Sequence, residues 1–321
     1  MSASELDRLL VKAARLYYEQ DLTQMQISKR LRLSRQKTQR LLQQARESGI
    51  VQINIRPVMG IFAELEGRLE ERFGLREAVV VETTAYEDHP TVAREVGVGA
   101  AEYILRVVQP HDAIVISWGE SLLGMVNALS TSARAKELEG VSVIQGLGGM
   151  VDPNNEVHSA DLTRRLARAL NGQAFLLPAP GVAGSRRARD AFLNDPHLNR
   201  ALLRARKANL AVMGIGAPRP ESILVREGNI VKWGELSALR VKGAVGDINL
   251  RYFDARGKRV ASDLDDRVIG LTLDEIRQIE HVVGVAGGSA KQDAIRAALD
   301  GKLIDVLVTD HVMAKRLVEE K

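Results

Sequence analysis

Among the serines of this sequence, Ser121 has the surroundings most similar to those of a serine nucleophile. An apolar run breaks into Ser117-Trp118-Gly119-Glu120-Ser121, and a predicted helix follows. The nucleophile elbow of serine hydrolases requires the pattern G-x-S-x-G. Gly119 supplies its first glycine, but Leu123 stands at the position of the second. The spacing therefore disfavours hydrolase chemistry and favours a loop that holds a ligand.

Three further glycine loops follow predicted strands in the same way. They are Gln145-Gly146-Leu147-Gly148-Gly149, Gly214-Ile215-Gly216-Ala217-Pro218 and Ala286-Gly287-Gly288-Ser289. Glycine lets backbone amides approach a ligand, and a helix that starts at such a loop directs its N–H groups at an anion. Four loops of this kind in one sheet favour a shared anion pocket over ordinary turns.

Other site chemistries find little support. A dinucleotide fingerprint needs G-x-G-x-x-G, but Met150 and Val151 follow Gly149. The chain has no cysteine, and no two of its six histidines stand three or four residues apart. Thiolate sites and disulfides are excluded, and no metal-ligand spacing is present. We expect no catalytic residue, no metal and no cofactor.

From about residue 77 onward, predicted strands alternate with predicted helices, which indicates an open, Rossmann-like α/β sheet. Ligands of such sheets bind beyond the carboxyl ends of the strands, where the glycine loops lie. Strands are expected at residues 78–82, 113–117, 142–145, 173–176, 210–214, 282–286 and 306–309. Helices are expected at residues 91–108, 121–129, 159–171, 185–193, 199–205, 273–278, 290–299 and 314–318.

The first 57 residues are basic. They carry eleven Lys and Arg against five Asp and Glu, whereas the whole chain has a net charge of only +4. This asymmetry is typical of a small domain that meets a polyanion. The apolar periodicity predicts a helix over residues 5–20. Thr23 with Gln26 forms a capping box for a second helix, and Ser34 is the N-cap of a third over residues 35–47.

A short helix, a tight turn and a longer basic helix are typical of a helix-turn-helix, whose second helix enters the DNA major groove. Residues 50–55 alternate like a strand and would form a wing. Arg and Lys reach phosphates or guanine, and Gln can pair with adenine. The alternative is a basic three-helix bundle with a solvated face. The residues expected to contact double-stranded operator DNA are Thr23, Ser34, Arg35, Gln36, Lys37, Gln39, Arg40 and Gln43.

Apolar residues at four-residue steps from Ile61 to Phe73 predict a linker helix. Its apolar seam would pack either on a second copy of the chain or on its own domain. We expect a helix-turn-helix domain at residues 1–57, the linker helix at 58–76, and an effector and oligomerisation domain at 77–321. The N-terminus shows no secretory pattern, and no apolar run approaches the roughly 18 residues that span a membrane, so a cytoplasmic protein is expected.

Several motifs occur in the order found in one bacterial family. They are Ile116-Ser117-Trp118-Gly119-Glu120-Ser121-Leu122, Gln145-Gly146-Leu147-Gly148-Gly149, Leu177-Pro178-Ala179-Pro180, Gly214-Ile215-Gly216, Gly243-Ala244-Val245-Gly246-Asp247-Ile248, Val285-Ala286-Gly287-Gly288-Ser289-Ala290-Lys291 and Ile304-Asp305-Val306-Leu307-Val308-Thr309-Asp310. With the helix-turn-helix ahead of them, the chain resembles the SorC/DeoR-type transcriptional regulators that have a sugar-binding domain. The resemblance implies an effector domain like that of the phosphosugar isomerases. It also implies a phosphorylated sugar or polyol effector and a homo-oligomer, a dimer or a tetramer.

The resemblance also assigns roles to single residues. It implies that the effector pocket is lined by Ser117, Gly119, Glu120, Ser121, Gly148 and Gly149. Asp247 would face sugar hydroxyls and Lys291 would meet the phosphate, whereas the alternatives are a turn-capping carboxylate and a solvated lysine. His311 stands where the family often has glutamate, so a role for that acid in the pocket does not carry over.

Three functions remain in competition. The leading one is a regulator of carbohydrate catabolism whose operator affinity depends on a phosphorylated sugar. The second is a sugar-phosphate isomerase or deaminase fused to a DNA-binding module, which needs an acid and a base, with Asp247 and Glu120 as candidates. The third is a DNA-binding structural protein whose C-terminal unit serves only assembly.

Overall fold

In the computed structural model of the chain, residues 3–52, 62–149, 159–219 and 231–319 are described. The chain divides into two compact units, Met1–Val58 and Met59–Lys321. No helix within the described ranges is both long and apolar enough to cross a bilayer.

The described part of the first unit, residues 3–52, contains three helices, α1 (Ala3–Tyr18), α2 (Gln24–Leu31) and α3 (Arg35–Glu47). Both predicted N-caps are present. Thr23 and Gln26 form the capping box of α2, and the Ser34 hydroxyl accepts a 3.2 Å hydrogen bond from the Lys37 N–H. These side chains satisfy N–H groups that a helix start leaves without partners.

A small apolar core joins the three helices. Leu10 and Ala13 from α1 pack with Ile27 from α2 and with Leu41 and Ala45 from α3. The predicted wing strand does not begin where the sequence placed it, because residues 50–52 form no strand. The remaining predicted wing residues, 53–55, lie outside the described residues.

The second unit is built on a seven-stranded sheet whose strand pairs are all parallel. Its strands are β1 (Glu77–Val81), β2 (Ala113–Ile116), β3 (Ser142–Gln145), β4 (Gln173–Phe175), β5 (Leu210–Gly214), β8 (His281–Val285) and β9 (Val306–Asp310). They lie side by side in the order β1-β9-β8-β5-β2-β3-β4. Each predicted strand is present, within one residue at either end.

Among the described residues of this unit, two strands and one α-helix were not predicted. The strands β6 (Ala244–Ile248) and β7 (Arg251–Asp254) pair antiparallel as a hairpin outside the main sheet, and the helix is α10 (Trp233–Val241). The other helices are α4 (Ala63–Phe73), α5 (His89–Val107), α6 (Glu120–Ser130), α7 (Ser159–Ala169), α8 (Arg186–Leu193), α9 (Pro196–Arg206), α11 (Leu273–Arg277), α12 (Gln292–Asp300) and α13 (His311–Glu319).

The central strands of the main sheet are buried on both faces. Along β2, Ile114 and Ile116 lie in one apolar cluster, and Val115, which points the opposite way, lies in another. Parallel strands covered by helices on both sides have this continuous apolar character. The sequence pattern of short apolar runs therefore follows from the two-sided burial.

The strand order reverses direction at β2. The chain proceeds from β2 outward to β3 and β4, and then returns to place β5 on the other side of β2. The loops that leave β2 and β5 diverge at such a switch point and open a crevice beyond the strand ends. A ligand site is expected there.

Helix α4 packs within the second unit. Leu69 and Phe73 on its seam are buried, at 0% and 4% exposure, in the same apolar cluster as Met313 and Leu317 of α13. Of the two alternatives for this seam, the structure shows packing on its own domain.

Candidate ligand-binding site

A cavity of about 340 Å³ opens at the carboxyl ends of β2 and β5. Its walls are built from the loops after β2, β5 and β8, from the start of α5 and from the β6–β7 hairpin. The lining residues are His89, Pro90, Trp118, Gly119, Glu120, Ser121, Leu122, Gly214, Ile215, Gly216, Ala217, Arg219, Asp247, Asn249, Val285, Ala290 and Lys291. Two of the four predicted glycine loops thus line this site, and a third, residues 286–289, is represented there by its neighbours Val285, Ala290 and Lys291.

The first turn of α6 faces this cavity. Gly119 is its N-cap, with φ of 141°, and makes no side-chain capping bond. The first N–H bonded within the helix is that of Leu123, which donates to the Gly119 carbonyl at 2.9 Å. The N–H groups that precede it have no partner inside the helix, and they carry the positive end of the helix dipole. This helix start can bind an anion.

Two serines of the same loop have different surroundings. The Ser117 hydroxyl accepts a 3.0 Å hydrogen bond from the Gly214 N–H and therefore ties the β2 loop to the end of β5. Ser117 is not among the cavity residues. Ser121 lines the cavity, and its buried hydroxyl has no hydrogen-bond partner among the described residues. Ser121 is thus the serine that remains available to a ligand.

Close packing of two helices fixes the position of this turn. A Cβ on Gly97 of α5 would lie 2.7 Å from the Ser121 carbonyl oxygen and 2.6 Å from the Met125 backbone nitrogen. On the α6 side, a Cβ on Gly124 would lie 3.1 Å from the Ala93 carbonyl oxygen. Only glycine allows the two backbones to approach so closely.

The carboxylate of Glu120 at the start of α6 contacts the imidazole of His89 at the start of α5. The distance from His89 Nδ1 to a Glu120 carboxylate oxygen is 2.9 Å. Both side chains are partly exposed and both line the cavity. Glu120 was predicted from the sequence, whereas His89 was not, because nothing in the sequence places it beside a loop thirty residues away.

The β6–β7 hairpin supplies the opposite wall. Its two turn residues, Asn249 and Leu250, both have positive φ, 59° and 60°. The Leu250 N–H donates to Asp247 at 3.2 Å, and the Asn249 side-chain amide donates to the carbonyls of Gly146 and Leu271. The side-chain oxygen of Asn249, Oδ1, is buried and has no partner among the described residues.

Asp247 lies in the cavity wall with only 6% of its surface exposed. Burial raises the pKa of its carboxyl group to about 6, and the Leu250 N–H and the charge of Lys291 act against that shift. Its backbone also pairs with Gly216 of the β5 loop, through bonds of 2.9 and 3.0 Å. Asp247 therefore caps a turn and lines the cavity at the same time.

Lys291 reaches the cavity from the loop after β8. Burial lowers the pKa of its ammonium group, and the carboxylates of Glu120 and Asp247 act in the opposite direction. The cavity thus holds the partly buried Lys291 ammonium close to two carboxylates. Lys291 is not the solvated surface lysine of the alternative interpretation.

The structure does not bring Gly148 and Gly149 to the cavity. The Gly148 N–H donates to the Ile269 carbonyl and the Gly149 N–H to that of Ala179, both at 2.9 Å. A Cβ on Gly148 would lie 2.5 Å from the Pro180 carbonyl oxygen. Glycine is required at residue 148 by chain packing, and neither amide is available to a ligand in the cavity.

The predicted DNA-contacting residues lie in the first unit. Arg35, Gln36 and Lys37 are exposed, as are Gln39, Arg40 and Gln43 farther along α3. The hydroxyls of Thr23 and Ser34 cap the two helices. The structure contains no nucleic acid, so the contacts themselves remain predictions.

The comparisons with known proteins agree on a family. Residues 60–319 match the family described as "Putative sugar-binding domain". The chain is 35% identical to the deoxyribonucleoside regulator of Bacillus subtilis, over 98% of this chain and 99% of that protein. The chain belongs to the SorC/DeoR-type transcriptional regulators with a sugar-binding domain.

Two further relatives of this family concern sorbitol. The sorbitol operon regulator of Klebsiella pneumoniae is 30% identical over 99% of this chain and 100% of that protein. The crystal structure of the full-length regulator SorC from Klebsiella pneumoniae matches with a TM-score of 0.70 and 29% identity, over 97% of this chain and 98% of that one. The similarity to these regulators covers both units of this chain.

Proposed function

We propose that this regulator binds operator DNA with an affinity that changes when a phosphorylated sugar or polyol occupies the cavity. The observation that carries the proposal is the convergence of an uncapped helix start, a partly buried lysine and a buried carboxylate on one cavity of about 340 Å³. Phosphate requires N–H donors and a cation, and hydroxyl groups require acceptors.

The phosphate would bind at the start of α6. Backbone N–H groups of the first turn, the Ser121 hydroxyl and the Lys291 ammonium supply donors to its oxygens. When His89 is protonated, it offsets the charge of the neighbouring Glu120 carboxylate, which lies 2.9 Å from its Nδ1. A dianionic phosphate at a helix start is also favoured by the helix dipole.

The hydroxyl groups would face the hairpin. Among the residues that the structure describes, the Asp247 carboxylate accepts one backbone hydrogen bond, from Leu250, so most of its acceptor capacity is left for a ligand. The Asn249 side-chain oxygen is a second acceptor, and it is held in place because the side-chain nitrogen donates to two backbone carbonyls. Two neighbouring acceptors favour a ligand with at least two hydroxyl groups.

For the first unit we infer a helix-turn-helix in which α3 lies in the major groove. Its outer face offers Arg, Lys and Gln, and no acidic residue interrupts that helix before Glu47. Small readers of this kind contact few base pairs, so a homo-oligomer, a dimer or a tetramer, would be needed for operator specificity. In this proposal residues 1–57 bind DNA, residues 58–76 contain the linker helix, and residues 77–321 bind effector and assemble the oligomer.

We propose that the cavity binds its ligand without converting it. A sugar-phosphate isomerase or deaminase needs an acid and a base that are free to exchange protons. Both candidates, Glu120 and Asp247, line the cavity, but the relatives that match this chain over nearly its whole length are named as regulators. Incubation of the protein with its tightest ligand, followed by product analysis, would reveal turnover if the enzyme alternative were correct.

The decisive experiment is an operator-binding titration with the full-length chain. DNA from upstream of its own gene is the first probe, and the panel contains phosphorylated sugars and polyols together with their unphosphorylated counterparts. We expect at least one phosphorylated member to change the operator affinity, and its unphosphorylated counterpart to have a smaller effect. Indifference to the whole panel would refute the effector role.

A further inference from the structure

A buried carboxylate at the end of β9 joins the cavity loop to helix α13. Asp310 is fully buried, and its two oxygens accept from different segments at 2.8 Å, one from the Gly288 N–H and one from the Met313 N–H. The first of these bonds holds the loop that leads to Lys291. The second caps the first turn of α13.

The cavity lysine and Asp310 hold the same short turn. The Lys291 N–H donates to the Gly288 carbonyl at 3.1 Å, and the Gly288 N–H is the one bonded to Asp310. Next to it, a Cβ on Gly287 would lie 2.5 Å from the Asp310 carboxylate. A shift of this turn on ligand binding therefore cannot leave Asp310 where it is.

The residue after Asp310 reaches the linker helix. His311 Nδ1 accepts a 3.2 Å hydrogen bond from the Thr83 N–H, and the His311 ring stacks on Phe62 with centroids 5.2 Å apart and planes inclined by 13°. Phe62 is the N-cap of α4, and its carbonyl accepts the 3.0 Å bond from the Glu66 N–H. The stack therefore positions the first turn of α4.

We propose that His311 is the positioning residue through which the occupancy of the cavity is transmitted to α4. The chain runs from Lys291 through Gly288 and Asp310 to His311 and Phe62, and each step is a direct contact within the second unit. An effector changes DNA affinity only if it binds two arrangements of the protein unequally. A ring that is either stacked or displaced provides two such arrangements. The inference rests on the proposed function, because it assumes an effector in the cavity.

Three variants separate the two contacts of His311. His311→Asn keeps an acceptor for the Thr83 N–H and removes the ring, and Phe62→Leu removes the other half of the stack. His311→Phe keeps the stack and loses the acceptor. Lys315→Gln, an exposed change on the same helix, is the matched control. We expect the first two variants to lose the coupling, and His311→Phe and Lys315→Gln to retain it.

The full-length chain is tested with operator DNA and three probes, 2-deoxyribose 5-phosphate, sorbitol 6-phosphate and inorganic phosphate. Operator affinity is measured by fluorescence anisotropy with and without each probe, and probe affinity by calorimetry. Allosteric couplings are commonly about fivefold or more. We expect the probe-induced change in operator affinity to fall below about twofold in His311→Asn and Phe62→Leu, while probe affinity stays within about twofold of the wild type. Full coupling in both variants would overturn the role of His311 and leave the proposed function intact.

A second measurement needs no effector. Lys291→Met is expected to change the hydrogen-exchange rate of the Glu66 amide, and the change should disappear in the His311→Asn background, because double-mutant cycles report coupling between sites. If no member of the phosphorylated sugar and polyol panel affects the wild-type operator affinity, the proposed function fails while this arm still decides the role of His311. An equal change in both backgrounds would overturn it.

Discussion

Glu70 on α4 accepts a 2.9 Å hydrogen bond from the backbone N–H of Ala78 in the edge strand β1. One turn earlier, Glu66 accepts an equally short bond from the Val80 N–H. Alternate N–H groups of β1 point away from the sheet and would remain unpaired there, which is the hazard of every edge strand. Helix α4 thus covers this edge of the sheet where a further strand could pair. Two of its glutamate side chains accept the hydrogen bonds that such a strand would accept.

Loss of this contact should destabilise the second unit. Glu70→Ala leaves the half-buried Ala78 N–H without its acceptor, which costs about 1–3 kcal/mol. Glu70→Gln keeps a carbonyl acceptor and should recover most of that loss. Urea unfolding measures both, with the exposed Glu71→Ala on the same helix as control. Equal losses for Glu70→Ala and Glu71→Ala would show that the bond is immaterial.

Asp247 should make the stability of the second unit depend on pH. Its pKa of about 6 in the folded protein lies above the ordinary 3.8, so the folded state binds more protons between these values. Stability therefore falls as the pH rises through this window. Asp247→Asn cannot ionise, and its stability relative to the wild type should rise by up to about 3 kcal/mol from pH 4 to pH 7.5.

Asp254, at the end of the same hairpin, is the control for that experiment. Hydrogen bonds from the Lys258 and Arg256 N–H groups lower the pKa of its carboxyl group. The stability that it contributes is complete above its ordinary pKa and is lost only at lower pH. Asp254→Asn should therefore cost the same at pH 5 and at pH 7.5. A parallel pH response of the two variants would exclude Asp247 as the source.

Lys291→Met should separate ligand binding from folding. The change removes a cation whose pKa is lowered by burial, so the ligand-free protein should lose little stability. It also removes the proposed phosphate partner, so affinity for a phosphorylated ligand should fall about tenfold or more. A thermal-shift titration measures both quantities, with the exposed Lys207→Met as control. Unchanged ligand affinity in Lys291→Met would place the phosphate elsewhere.

Arg35→Ala and Arg40→Ala should each weaken operator binding without affecting the ligand cavity. A lost phosphate contact lowers the salt dependence of binding, log K against log salt, by about 0.9. A lost guanine contact instead costs about 1–3 kcal/mol and relaxes sequence preference at one base pair. Binding at several salt concentrations distinguishes the two, with Arg15→Ala on α1 as a basic control. Full operator affinity in both variants would contradict the assignment of α3.

The sheet was predictable because its strands are short apolar runs between glycine loops, and burial on both faces leaves little room for another pattern. The β6–β7 hairpin was missed because its turn uses Asn249 and Leu250, and leucine at positive φ gives no turn signal in the sequence. Asn249 was missed with it. The resemblance pointed to Asp247 without indicating the element that carries it.

The glycines of the strand-end loops fall into two groups, those that lie beside the cavity and those that pack against another chain segment. Gly119 leaves open space beside the cavity, whereas a Cβ on Gly148 would meet a backbone oxygen at 2.5 Å. Both follow strands and both stand in similar motifs. Whether a glycine serves a ligand or a neighbouring chain segment depends on tertiary contacts, here with Pro180, that local sequence does not specify.

The contact between Gly97 and the backbone of α6 makes residue 97 far less tolerant of substitution than the side chains that line the cavity. A larger residue at Gly97 would displace the whole first turn of α6, because the clash is with backbone atoms at 2.6–2.7 Å. Exchanges at Glu120 or His89 would alter the cavity surface without moving that turn. Substitution of a few side chains around this fixed helix start would therefore change which ligand the cavity accepts without changing the scaffold.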